Sequence, residues 1–196
     1  LIKQGAMQDL LTAKRRLQGF SGEWELKTLG DLAHMKSGET ITSARITEDG
    51  DFPVYGGNGL RGYTSTFNKE GECTLVGRQG ALCGAVAHTS GPIFASEHAI
   101  VCKAATGNNQ RYLSLLFDFL NLNRVSEASA QPGLSVEKIR KIEVFASSSK
   151  GEQEAIANVL TDIDAEIQAL ETRLEKARQV KEGMMQNLLT GRIRLV

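Results

Sequence analysis

A chain of 196 residues, 41% of them hydrophobic, can bury one sizeable core and carry a helical appendage besides. Its 23 lysines and arginines balance 23 aspartates and glutamates, and residues 20–150 hold 13 against 14. That balance excludes a uniformly basic nucleic-acid binder: a grip on DNA must come from a local surface, or from charge that a partner supplies.

The chain opens on "IKQGAMQDLLTAKRRL" and closes on "VKEGMMQNLLTGRIRL". Aligned without a gap, residues 2–17 and 180–195 agree at nine of sixteen positions: Lys3/Lys181, Gly5/Gly183, Met7/Met185, Gln8/Gln186, Leu10/Leu188, Leu11/Leu189, Thr12/Thr190, Arg16/Arg194 and Leu17/Leu195. A repeat whose period is nearly the whole chain predicts one unit of a two-unit architecture, preceded by the tail of the unit before it. Leucine at position 1 suggests a segment trimmed from a longer chain. No long apolar run offers a membrane span, and no basic-then-apolar leader is present.

From residue 20 to 148 the sequence is punctuated by glycine, with 15 of the chain's 20 glycines and all three prolines. Runs rich in Val, Ile, Cys and Ala at 72–76, 84–88 and 98–103 lie between glycine turns and read as strands of a twisted or barrel-like sheet. "YGGNGLRG" at 55–62 contains G-x-G-x-x-G, but strand and turn signals follow where a nucleotide site needs a helix to open. Asn58-Gly59 reads instead as the turn of a tight hairpin. Two helices interrupt the strands. One spans 110–122, with Tyr112, Leu113, Leu116, Phe117 and Leu120 on one face; the other spans 136–141 behind an N-cap at Ser135. Cys73, Cys83 and Cys102 are odd in number and form no C-x-x-C, which fits reduced cytosolic thiols better than a disulfide frame or a zinc site. The expected class is α+β: a glycine-rich, strand-dominated domain with short helices, followed by one long coiled-coil helix.

No glycine occurs between Glu152 and Glu182. Ser149 and Glu152 stand in S-x-x-E order, which predicts a capping box. Ile156, Leu160, Ile163, Ile167, Leu170, Leu174, Ala177, Lys181, Met184 and Leu188 then follow in alternating steps of four and three, the seam of a left-handed coiled coil. The flanks carry mixed charge, and Gly191 offers a stop to a rod of roughly 58 Å. Such a seam needs cover: either the rod folds back on its own domain, or it pairs with a second helix. In an antiparallel pair Leu10 and Leu11 meet Ile156 and Leu160, and the stretch from Ile163 to Leu174 stays bare in a single copy. Lys181, on the seam, needs solvent or an acidic neighbour.

Catalytic signatures are missing. There is no Walker lysine motif and no H-E-x-x-H, and His34, His88 and His98 are scattered. Glu97 and His98, read as strand neighbours, point to opposite faces and are taken as structural. No catalytic or metal-ligating residue is expected. Polar and basic side chains set among glycines remain: Asn58, Arg61 and Tyr63, then Arg78 and Gln79. Glycine lets backbone approach closely, while Arg, Gln and Asn are the side chains that pair bidentately with guanine and adenine edges.

Taken in order, "YGGNGLRGYT", "TLVGRQGALCGAV", "QPGLSVEKIRKIEV" and "GEQEAIANVLTDIDAEIQALETRLEKARQVKEGMMQNLLTG" resemble the specificity subunit of type I restriction–modification enzymes. The resemblance covers nearly the whole chain, and E-Q-x-x-I-A…D-x-x-I…M-Q-x-L-L-T-G is its most specific part. It implies a prokaryotic, cytoplasmic subunit with two recognition domains, each reading one half of a split double-stranded DNA site. Each domain is followed by a conserved helix; the two helices pair antiparallel and set the spacing. Residues 1–19 then match the end of the preceding helix, 20–148 the recognition domain, 149–191 the spacer helix and 192–196 a tail. Adenine methylation and DNA cleavage fall to methyltransferase and restriction subunits, which use S-adenosylmethionine, ATP and magnesium; this chain needs no cofactor. The family's proline-rich approach to the helix is replaced by "FASSSKGEQ", which predicts a looser junction. A half-length protein working as a homodimer is a variant of this reading. The alternative from another class is a coiled-coil assembly or adaptor protein with a protein-binding sheet domain. A self-contained methyltransferase is removed by the absence of an N/D-P-P-Y/F motif.

Overall fold

The computed structural model describes residues 2–80, 82–125 and 133–190. The chain divides between Ala157 and Asn158 into two compact units. In chain order the elements are α1 (Ile2–Leu11), β1 (Trp24–Thr28), α2 (Leu29–Leu32), β2 (Ala33–Ser37), β3 (Phe52–Gly56), β4 (Gly59–Thr64), β5 (Cys73–Gly77) and β6 (Val86–Thr89). They continue with β7 (Phe94–Ala95), β8 (Ala99–Ala104), α3 (Gln110–Leu120), α4 (Val136–Arg140), β9 (Glu143–Ser147) and α5 (Lys150–Leu189). The class is α+β, as expected. The strands form three sheets, β2-β8-β5-β6, β4-β3-β7 and the ribbon β1-β9, antiparallel throughout except between β3 and β7.

The core follows from the apolar runs. Every residue of β5 is buried, because β8 and β6 flank it on either edge. α3 lies across β5, β6 and β8 and buries Tyr112, Leu113, Leu116 and Phe117. Leu120 is only half-buried, while Ser114 and Leu115 join the buried set. Polar groups under the helix find partners: the Ser114 hydroxyl meets Thr74 and the His88 Nδ1 at 3.0 Å, and Gln110 Nε2 donates to Thr74 Oγ1 at 2.7 Å. That pairing is what lets polar side chains sit in a core. Desolvation, followed by the nearby Arg111 charge, lowers the His88 pKa. Burial and the charge of Cys73 beside it push the Cys102 thiol up.

Capping separates expectation from outcome. Ser135 caps α4 as expected, accepting from Lys138 N. α3 is capped by Asn109, whose side chain accepts from Tyr112 N at 2.8 Å. A reciprocal capping box does form, at Thr28 and Asp31 of α2, and its hydrogen bonds from Thr28 lower the Asp31 pKa. At Ser149 and Glu152 only half of one forms. Glu152 N donates to Ser149 Oγ at 3.4 Å, whereas the Glu152 carboxylate turns inward to Arg16, Trp24 and Ser147, and Ser149 N donates to Ser147 Oγ. The stronger donors win the carboxylate, because a buried charge needs charged or saturated partners.

The ends of the first unit are closed on one another. β1 pairs with β9 from Trp24↔Ser147 to Thr28↔Glu143, so the strand that enters the sheet region lies beside the one that leaves it. α1 buries Met7, Leu10 and Leu11 and packs against α3. The junction into α5 is accordingly tight rather than loose. Gln153, fully buried, accepts from Asn109 N at 2.8 Å and donates to Ser147 O at 2.8 Å and Asn108 Oδ1 at 3.0 Å. Asn109→Ala, which removes the α3 cap while leaving its backbone bond to Gln153, is expected to lose about 1 kcal/mol of stability in urea unfolding.

Candidate nucleic-acid interface

The hairpin foreseen at Asn58-Gly59 is present, displaced by one residue. Gly57 and Asn58 form its tip, and Gly59, paired with Gly56, takes the left-handed backbone with φ +86°. The ladder then slips: Val54 pairs with Gly62 and Tyr55 with Leu60, leaving Arg61 as the extra residue of a β-bulge. A bulge re-aims its side chain out of the regular alternation. The Arg61 stem folds over Gly56, where a Cβ would lie 2.4 Å from its Cδ.

A second loop meets this tip. Gly77 N donates to Ala85 O and Gly84 N to Gly77 O, both at 2.8 Å, closing the turn that follows β5. A Cβ on Gly57 would sit 2.6 Å from the Gln79 carbonyl oxygen, and one on Gly77 would sit 2.2 Å from the Gly57 oxygen. The close approach that these glycines permit is thus of one loop to another. Asn58 comes to rest against Gly80 in consequence.

The two loops surround an open recess of about 350 Å³ lined by Gly57, Asn58, Arg61, Gln79, Gly80 and His98. Three of the five candidate residues, Asn58, Arg61 and Gln79, therefore come together, all of them exposed. Arg78 and Tyr63 do not line it. Arg78 Nη1 donates to Ser37 Oγ at 3.3 Å, and the Arg78 carbonyl accepts from Leu134 N at 2.9 Å and from the Cys83 thiol, which burial pushes up in pKa. Tyr63 exchanges two backbone bonds of 2.9 Å with Thr47.

His98 joins the site unforeseen. Arg78 N donates to the His98 carbonyl at 2.8 Å, and this bond brings residue 98 beside the loop of residue 79. Glu97 and His98 are in a turn before β8, not in a strand, so their side chains are not held to opposite faces; Nε2 and Oε1 stand 3.3 Å apart. The recess thus offers a guanidinium, two carboxamides and an imidazole, donors and acceptors suited to reading polar edges. Among the described residues no group of three His, Cys, Asp or Glu side chains could hold a metal, and no helix is long and apolar enough to cross a membrane.

The seam runs along α5, starting with Ile156 in the first unit and continuing through the second. Ile156 and Leu160 are buried and Ile163 and Ile167 half-buried, but Leu170, Leu174, Ala177, Met184 and Leu188 are exposed, as is Lys181. The stop expected at Gly191 and the tail 192–196 fall outside the described residues.

A family model described as "Type I restriction modification DNA specificity domain" matches residues 21–179. The EcoprrI specificity subunit of a type I restriction enzyme from Escherichia coli is 36% identical over 169 residues, which cover 84% of this chain and 41% of that protein. A putative type I specificity subunit from Mycoplasma genitalium is 23% identical over 175 residues, covering 85% of this chain and 45% of that one. The chain thus spans less than half the length of these curated relatives. Among solved structures, the S subunit of a type I system from M. genitalium matches with a TM-score of 0.72 at 21% identity, over 90% of this chain and 48% of that one. The HsdS subunit from Thermoanaerobacter tengcongensis matches with 0.65 at 11% identity, over 95% and 49%. At those identities the likeness is one of fold.

The loop-on-loop contact has a measurable consequence. Gly77→Ala should destabilise the first unit by about 1–3 kcal/mol, because neither backbone can retreat. Gly5→Ala in α1, where nothing lies within 4 Å of the added Cβ, should instead stabilise it by about 0.5–1 kcal/mol. Urea unfolding of the two variants beside the parent checks both.

Proposed function

Because the chain belongs to the family of type I restriction modification DNA specificity domains, we propose that its first unit reads one half of a bipartite double-stranded DNA site. α5 pairs antiparallel with an equivalent helix, of the same subunit or of a second copy, and sets the distance between halves. Methyltransferase subunits dock on this framework and bring restriction subunits with them; S-adenosylmethionine, ATP and magnesium act in those partners. The observation that carries the reading is the convergence of Asn58, Arg61 and Gln79, drawn from two loops, in one open recess. Arg61 is the natural match to a guanine edge, and the carboxamides to adenine. His98 adds a further donor or acceptor, while Arg78 and Tyr63 would meet the DNA outside the recess.

A protein-binding adaptor is favoured by two observations, the balanced charge and an exposed apolar pair on the β1-β9 ribbon, where Leu26 faces Phe145 across the ladder. Gel shifts with random duplex at low salt, with and without the methyltransferase partner, separate the two readings: an adaptor shifts no duplex in either case.

Within the DNA reading, Arg61→Ala and Gln79→Ala should each weaken binding to the cognate site by about 1–3 kcal/mol and relax specificity at a single base. Arg78→Ala should weaken all duplexes alike and flatten the salt dependence by about one phosphate contact. Titrations on cognate and scrambled duplexes at several salt concentrations provide the check.

The helix makes its own demand. Leu170, Leu174, Met184 and Leu188 are 57%, 52%, 60% and 38% exposed. Burying each would contribute ~1.5–3 kcal/mol before ordering costs. Sedimentation equilibrium at micromolar concentration should show this chain as a dimer, and the double variant Ile167→Asp/Leu170→Asp as a monomer.

A further inference from the structure

The tip of the β3-β4 hairpin borders two cavities, both within the first unit. One is the polar recess. The other is a smaller and more closed pocket of about 80 Å³, set between the hairpin and strands β5 and β6. Three glycines contribute only backbone to its wall, Ala85 and Ala87 only a methyl group each, and Leu75 and Val86 supply branched carbon. Among the described residues no charged side chain lines it. Ala87 packs against the cluster that contains Leu75, so the floor of the pocket is the core itself. The space is there because the side chains around it are small, and a wall that faces nothing forgoes its dispersion contacts.

Asn58 belongs to both cavities. Its carboxamide rests against Gly80, on the recess side. In the major groove an A·T pair shows adenine N7 and its amino group, which a carboxamide can engage bidentately, and then thymine O4 and the 5-methyl group. A side chain that reads the adenine edge therefore has a methyl group close beside it. A methyl group makes no hydrogen bond and gains by leaving water for carbon. The recess, with its guanidinium, carboxamides and imidazole, gives it no such surface; the pocket does. A methyl group is about the size of a water molecule, whose share of liquid volume is roughly 30 Å³. The pocket has room for it with the edge of the ring behind.

We propose that the pocket formed by Leu75, Ala85, Val86 and Ala87 is a binding site for the 5-methyl group of a thymine, and that with Asn58 it reads one A·T pair of the half-site. The inference rests on the DNA-reading function above. It assigns this pair to the hairpin tip from both sides, by hydrogen bonds to adenine and by apolar contact to its partner base.

The test uses the subunit that carries this chain, assembled with its methyltransferase partner, on a cognate duplex defined by the adenines it methylates in the host genome. Each thymine of the site is replaced in turn by deoxyuridine, which lacks only the 5-methyl group. One replacement should weaken binding about fourfold. That loss should vanish in Ala85→Leu, which fills the pocket, and shrink in Val86→Ala, which removes part of its wall. Asn58→Ala should relax the choice of base at the same pair. If Ala85→Leu does not fold, Val86→Ala decides. A site at which no deoxyuridine weakens binding overturns the inference, and so does a sensitive thymine whose loss is the same in the parent and in the pocket variants. In either case specific binding by the parent leaves the functional reading standing; a parent complex that binds no duplex overturns that reading and this inference with it.

Discussion

A charged group can be buried in a protein of this size only if the surroundings answer it completely, and much of this structure depends on the answer given to Glu152. Its carboxylate takes a bidentate arginine, an indole and a hydroxyl from three separate places in the chain. Removing one partner would leave an uncompensated buried charge, which is far more damaging than the pair is stabilising. The three donors are therefore held to their places by the acid as much as the acid is held by them. The β1-β9 ribbon, the packing of α1 and the first turn of α5 meet around this point.

Local patterns in the sequence are legible where local forces decide. β5, β6 and β8 are within two residues of the runs that foretold them, and α4 starts behind Ser135 as its capping chemistry requires. S-x-x-E at Ser149 and T-x-x-D at Thr28 are the same local signal, yet only the second becomes a closed box. The difference comes from Arg16, 136 residues away from Glu152. No window-sized reading contains it. His98 was missed for the same kind of reason: a backbone bond to Arg78, not any feature of its own neighbourhood, carries it into the recess.

The recess itself shows how glycine acts at a distance. Gly57 and Gly77 are buried where two backbones touch. Their lack of a side chain lets Asn58 and Arg61 from one loop share a space with Gln79 from another, while the bulge lifts Arg61 out of the β4 ladder. A chain with no net charge still concentrates polar donors and acceptors on one face in this way. The concentration is geometric, so composition alone could not reveal it.

Closing the ends of the first unit on one another also orders its birth. Trp24 pairs with Ser147, and Arg16 waits for Glu152. Sheet contacts between residues so far apart in sequence are late and slow to form. During synthesis the chain emerges from its N-terminus, and domains complete as units. This unit cannot be finished until Glu152 and Gln153 have left the ribosome, when most of α5 is still inside the exit tunnel. The first unit is thus completed only when the first turn of α5 has emerged.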